Sequence, residues 1–176
     1  MRVIGTVGLP GSGKGEFAAV ADELGVPVVT MGDVIREECR RRGLDPADHH
    51  GEVAQSLREE EGPLAIAERS IPMVREALDD ADTVLVDGLR SADELQRFRE
   101  AFGDEFTLVA VEAPFELRAE RIDARGRDNS ARETLRERDE RELGFGLGEA
   151  LERADVRIEN DDTLAAFRED VREVLG

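Results

Sequence analysis

Apolar residues along the chain fall into two patterns that alternate from one end to the other. Short continuous apolar runs have the length of buried strands, and longer stretches spaced three and four apart have the period of amphipathic helices. Arg2 to Val7 reads as a strand and Gly8 to Gly15 as a loop, and Glu16 to Leu24 as a helix with Phe17, Val20 and Leu24 on one face. Val26 to Val29 is a second strand, followed by a helix from Gly32 to Arg42 that Gly43 and Pro46 break. Two more helices are predicted over Val53–Glu61 and Leu64–Leu78, the second kinked at Pro72. Thr83 to Val86 is a third strand, and Ser91 with Glu94 forms a capping box for the next helix. Phe106 to Val111 is a fourth strand, and Pro114 opens a helix that runs to Arg125. A polar break over Arg127–Ser130, a charged helix to Leu143 and a joint at Gly144, Gly146 and Gly148 follow. Val156 to Ile158 is a last strand and Thr163 to Leu175 a closing helix.

Strands that alternate with helices predict an α/β fold, a parallel five-stranded sheet covered on both faces. At 176 residues the chain reads as one domain with no internal repeat. No apolar run approaches the roughly 20 residues that cross a bilayer. The first strand begins at once, so no signal peptide is expected. Cys39 is the single cysteine, as expected in a reducing cytoplasm, which is where the chain is placed.

Charge narrows the set of partners. The 42 acidic residues give a net charge of −18, which repels nucleic acids and anionic membranes. A small anion can still bind where local arginines and backbone N–H groups override the average field. The acid content, the near absence of lysine and the 4% of aromatic residues resemble proteins of salt-loving archaea. A GC-rich genome is the alternative, because it also favours arginine over lysine.

The most specific signal lies in the first loop. Lys14 is the only lysine, against 23 arginines, and it ends the run Gly8-Leu9-Pro10-Gly11-Ser12-Gly13-Lys14-Gly15. Strand, Gly-x4-Gly-Lys, helix is the context of a phosphate-binding loop. Glycines let successive N–H groups point at phosphates, and the following helix adds its positive end. A lysine is a slender point charge that fits such a loop, whereas arginine is a broad planar fork. The usual Ser or Thr after the lysine is replaced by Gly15, with Glu16 next. Glu16 either faces a bound metal ion or complements the helix N-terminus.

The proline two residues after Gly8, and Gly15 after Lys14, resemble the loop of adenylate kinases and related nucleoside monophosphate kinases. That family continues with Thr where this chain has Glu16. Thr30-Met31-Gly32-Asp33-Val34-Ile35-Arg36 resembles the family's acceptor-binding run. The resemblance implies that Arg36 grips the acceptor's phosphate, with Thr30 and Asp33 nearby. Asp87-Gly88-Leu89-Arg90 follows the third strand, and Asp87 would handle magnesium. Arg90 matches a second acceptor arginine less closely, since the spacing is one residue shorter and the family's proline is missing. Ala154 to Asn160 resembles the tail of dephospho-coenzyme A kinases. The whole chain is thus similar to an archaeal group described as adenylate-kinase-like or dephospho-coenzyme-A-kinase-like.

This resemblance implies a P-loop NTPase three-layer sandwich spanning 1–176, with an acceptor-binding insertion at 30–80 and a short lid at 118–141. Arg118, Arg121 and Arg125 share one helix face. Arg121 and Arg125 resemble the pair that opens the family's lid, with Arg138 or Arg141 returning from the next helix. Gly8, Pro10, Gly11, Ser12, Gly13, Lys14, Gly15 and Glu16 would hold ATP, with Lys14, Arg121, Arg125 and Asp87 acting in catalysis and Asp87 on Mg2+. Thr30, Asp33, Arg36 and Arg90 would hold the acceptor, while His49 and His50 read as surface residues, with contact of one of them to an acceptor base as the alternative. Three functions are compatible: transfer to a nucleoside monophosphate, transfer to the hydroxyl of dephospho-coenzyme A with Asp33 as base, or a nucleotide-binding switch acting through a protein partner.

Overall fold

A computed structural model describes residues 1–125 and 134–176, except for the side chain of Arg125. The predicted lid tip, Arg127–Ser130, lies outside the described residues. Five strands, β1 (Arg2–Val7), β2 (Val28–Thr30), β3 (Thr83–Asp87), β4 (Phe106–Glu112) and β5 (Val156–Glu159), form one sheet in the order β2-β3-β1-β4-β5. Every pairing is parallel, as the alternating pattern requires.

The helices are α1 (Lys14–Glu23), α2 (Met31–Arg41), α3 (Pro46–Glu61), α4 (Ala65–Asp80), α5 (Ala92–Phe102), α6 (Phe115–Arg125), α7 (Leu135–Gly144), α8 (Leu147–Glu152) and α9 (Leu164–Leu175). Strand alternation divides the core in two. Ile4, Leu85 and Val109 face α1 and α9, where they meet Phe17, Val20, Phe167 and Val171. Val3, Val7, Val84, Val86 and Leu108 face the other way, onto apolar residues of α2, α3, α4, α5 and α8. Both faces are covered, which explains why the strands read as nearly continuous apolar runs.

Three sequence expectations need correction. Leu24 is 49% exposed rather than part of a buried face, because α1 ends at Glu23 and the chain turns away through Gly25. Pro46 starts a helix instead of breaking one. It occupies the first turn of α3, where its missing N–H costs nothing, and the Asp45 side chain caps the turn by accepting from Ala47 N at 2.9 Å. The glycine joint is narrower than expected: Gly144 ends α7 and Gly148 lies inside α8. Pro72 sits within α4, which continues past it.

One buried carboxylate ties the helices of the larger core half together. Glu38 is 1% exposed and accepts hydrogen bonds from Arg41, Arg42 and Arg69. The Arg41 bonds, opposed by burial and reinforced by Arg42 and Arg69, hold its pKa far below the ordinary 4.5. A depressed folded pKa contributes stability that is present above the unfolded value and is lost as pH falls below it. Urea midpoints should therefore drop on acidification below about pH 4.5, and Glu38→Gln should show a shallower drop. Equal acid sensitivity in the variant would contradict this role.

Candidate active site

The carboxyl ends of β1, β3 and β2 lie side by side, with Thr6 opposite Asp87 and Asp87 opposite Thr30. From β1 the chain enters the Gly8–Lys14 loop at the middle of the sheet, flanked by β3 and β4. This is the position at which open parallel sheets bind ligands.

The loop's glycines answer to sterics. At Gly13, φ is +120°, and a Cβ would lie 2.4 Å from Asn160 Nδ2. At Gly8 a Cβ would lie 2.5 Å from both Ser12 Oγ and the Val111 carbonyl. Gly15 differs, since a side chain there would meet nothing within 4 Å. The absence of the usual Ser or Thr at this position is therefore not imposed by packing. The loop is braced from behind: Asn160 Nδ2 donates to the Ser12 carbonyl at 2.9 Å, and Arg118 Nη1 donates to the Pro10 carbonyl at 3.2 Å.

Lys14 folds back over the loop, and its ammonium donates to the carbonyls of Gly8 and, at 3.3 Å, Leu9. Burial lowers its pKa, while Asp87 and Glu142 oppose that shift. Thr6 donates to Asp87 Oδ1 at 2.6 Å. Burial raises the Asp87 pKa against the pull of Thr6 and Lys14. Magnesium bound with nucleotides takes most of its ligands from phosphates and water and one or two from carboxylates. Asp87, beside Lys14 at the mouth of the loop, fits that requirement. No group of three or more metal-ligating side chains occurs among the described residues.

A cavity of about 370 Å³ opens next to Lys14 and Asp87. Thr30, Arg36 and Arg90 line it, and so do Arg58, His50, Glu94 and Glu142. Arg36 is held by Asp33 through two bonds of 3.0 and 2.6 Å, and it donates to Thr30 Oγ1 at 3.1 Å. Burial pushes the Asp33 pKa up, but the bonds from Thr30 and Arg36 and the Arg36 charge outweigh it, so Asp33 sits below its ordinary value. Arg90 lies 3.9 Å from Glu142. Its backbone N–H donates to Glu94 Oε2 at 2.8 Å, and Glu94 N in turn donates to Ser91 Oγ, so the predicted cap also fixes Arg90. Arg138 is a further wall residue.

The helix-face arginines separate. Arg118 is not directed at phosphates: it is 4% exposed and forms a two-bond pair with Asp139 of α7 at 2.8 Å each. Arg121 lies outside the cavity wall and donates to the Asn160 carbonyl at 2.7 Å, with its Nη1 buried and unpartnered among the described residues. Glu16, in the first turn of α1, turns to α9, where it pairs with Arg168, and is absent from the cavity wall. Arg58 and Glu142 went unassigned in the sequence, His50 read as a surface residue, and Asn160 entered only as the end of the tail run Ala154–Asn160.

Comparison with known proteins agrees with the loop and the sheet. Residues 7–136 match a family described as AAA domain. In solved structures the fold resembles that of shikimate kinase from Acinetobacter baumannii in complex with shikimate, with a TM-score of 0.59 and 21% identity over 99% of this chain and 91% of that one. It also resembles a gluconokinase from Sinorhizobium meliloti, with a TM-score of 0.57 and 18% identity over 97% and 89% of the two chains. At these identities the likeness is one of fold, that of the P-loop kinases. A UPF0200 protein of Halobacterium salinarum is 60% identical over all of this chain and 93% of its own length, a source that fits the acidic composition. A UPF0200 protein of Methanosarcina barkeri is 48% identical over 100% of this chain and 95% of that protein. The chain therefore belongs to the archaeal UPF0200 family, built on the AAA domain with a P-loop kinase fold.

Proposed function

We propose that the protein transfers the γ-phosphoryl group of ATP-Mg to a small phosphate-bearing acceptor, a nucleoside monophosphate. The observation that carries this reading is one cavity with Lys14 and Asp87 at one end and Arg36, Arg58 and Arg90 in its walls. A phosphate acceptor is already anionic and needs no general base. Positioning and positive charge around the transferring group suffice. On this reading the phosphate loop holds ATP, Thr30, Asp33, Arg36 and Arg90 position the acceptor, and Arg121 and Arg125 act on the nucleotide from α6. The segment from 30 to 80 forms the acceptor side, and α6 with α7 carries the lid.

The neighbours named for shikimate and gluconate keep a hydroxyl acceptor such as dephospho-coenzyme A as the second reading. Asp33 is the candidate base there, but a carboxylate held ionised by Arg36 is a weak one. Asp33→Asn separates the two. With a phosphate acceptor it should raise the acceptor KM roughly tenfold through loss of the grip on Arg36, with little change in kcat. A fall in kcat of a hundredfold or more, about the contribution of a general base, would favour the hydroxyl. The test of the function itself is transfer from ATP-Mg in molar KCl to a panel of nucleoside monophosphates and dephospho-coenzyme A. Turnover with a nucleoside monophosphate supports the proposal. Binding of ATP with no transfer to any acceptor would instead support a nucleotide switch that works through a protein partner.

A further inference from the structure

Acidic residues outnumber basic ones 42 to 24 in this chain, and carboxylates claim many of its arginines. Arg36 holds Asp33, Arg118 holds Asp139, and Arg41, Arg42 and Arg69 converge on Glu38. Arg58 is different. It is half-buried in the cavity wall, yet no carboxylate of the described residues lies within ion-pair distance of it. Among the described residues its one hydrogen bond is a long 3.5 Å contact from Nη1 to the Ala54 carbonyl of its own helix. The acid on which it acts most clearly is Glu94, itself buried and pushed up in pKa by that burial. Glu94 lies beyond ion-pair distance, so Arg58 is a half-buried cation with no counter-ion in contact, which is costly. In a chain with so many spare carboxylates, that cost points to a negative charge supplied from outside.

His50 lines the same cavity, eight residues before Arg58 on α3. The Gly32 backbone favours the charged form of its ring. Three guanidinium groups face it from three segments: Arg36 from α2, Arg90 from the loop after β3, and Arg58 from α3. Burial, then Arg36 and Arg90, hold its pKa below the ordinary 6.5, against the opposing pull of the Gly32 backbone. Its neighbour His49 is paired instead with Glu52 at 3.2 Å. The cavity thus gathers three guanidinium groups around an imidazole whose charged form they disfavour, with the carboxyl groups of Asp87, Glu94 and Glu142 also in its walls.

We propose that Arg58 and His50 are specificity-determining residues that, with Arg36 and Arg90, hold a dianionic phosphate-like group of the acceptor. The bound dianion supplies the missing counter-charge of Arg58. It also reverses the field at His50, so that the imidazole takes up a proton from solvent and adds a second charged donor. Only the identity of the molecule that carries the dianion rests on the kinase reading. The anion site itself does not.

The test uses sulfate, a dianion that does not titrate near neutrality. The chain has two histidines, so proton NMR follows two imidazole C2–H resonances through a pH titration, with sulfate replacing chloride at constant ionic strength. Sulfate should move the His50 midpoint upward by about one pH unit, the order expected for an opposite charge nearby, and leave His49 in place. Arg58→Ala should abolish the shift, Arg58→Lys should restore part of it, and Lys14→Ala should keep it, which excludes sulfate on the phosphate loop as its cause. A His50 midpoint unmoved by sulfate, or a full shift in folded Arg58→Ala protein, would overturn the proposal even if transfer activity is found. Where transfer is measured, Arg58→Ala should raise the acceptor KM roughly ten- to hundredfold, the loss of a charged hydrogen bond, with a smaller change in kcat and in ATP binding. Should no acceptor be phosphorylated, the kinase reading falls and the sulfate titration still decides the anion site.

Discussion

Lys14→Ala lowers phosphoryl transfer by about 10²- to 10³-fold, the usual cost of removing one preorganised electrostatic stabiliser. Lys14→Arg is expected to do little better. The ammonium reaches the carbonyls of Gly8 and Leu9 along the inside of the loop. A guanidinium is too wide to follow that path and cannot contract to a point charge at the terminal phosphates. Removing the charge also leaves Asp87 without the cation that opposes its burial, so its pKa rises further and its hold on magnesium weakens. Steady-state transfer kinetics check the rate, and circular dichroism checks that the variants are folded. A Lys14→Arg protein within tenfold of the parent would mean that the loop does not enclose the phosphates in the way the carbonyl contacts suggest.

The second large effect is on stability, and it links the loop to the helices above it. Arg118 and Asp139 are nearly enclosed, and Arg118 also donates to the carbonyls of Ala113 and Pro10. Asp139→Ala leaves a buried guanidinium with no counter-ion, a change expected to cost about 3–5 kcal/mol. In a domain of this size that lowers Tm by roughly 10 °C. ATP binding should weaken as well, because the Pro10 carbonyl loses a fixed partner. The double change Arg118→Met with Asp139→Leu should recover much of the stability, since an apolar pair of similar volume avoids the unpaired charge. Recovery of ATP binding would be poorer, because the Pro10 contact stays broken. Urea unfolding in molar KCl is the appropriate measurement: salt at that strength screens exposed ion pairs but not enclosed ones. A loss under about 1 kcal/mol, the worth of a surface pair, would contradict the structural role given to Arg118.

Much of the fold was legible in the sequence because it rests on local signals. Strand runs such as Thr83–Val86 are apolar on both faces, and the loop declares itself through glycines with Lys14 at its end. Thr30, Asp33 and Arg36 sit within seven residues, so their mutual bonds are set by the first two turns of one helix. What stayed hidden depends on contacts between distant segments. A helical period puts Arg118 and Arg121 on one face but cannot say what that face meets. Asp139 lies 21 residues from Arg118, and Asn160 lies 148 residues from the Ser12 carbonyl it braces. His50 read as a surface residue and Arg58 drew no reading, because only the packing of α3 against α2 and α4 brings them to the cavity. Pro46 misled for the opposite reason, since a proline marks a helix start as readily as a break.

The most direct measurement is ADP formation from ATP-Mg in molar KCl, with and without a nucleoside monophosphate, in the parent protein and in Lys14→Ala. An acceptor-clamped kinase should form ADP slowly alone, accelerate by at least about a hundredfold when the acceptor completes the site, and lose that acceleration in Lys14→Ala. ADP formation at one rate with or without any acceptor would contradict it and identify a hydrolase.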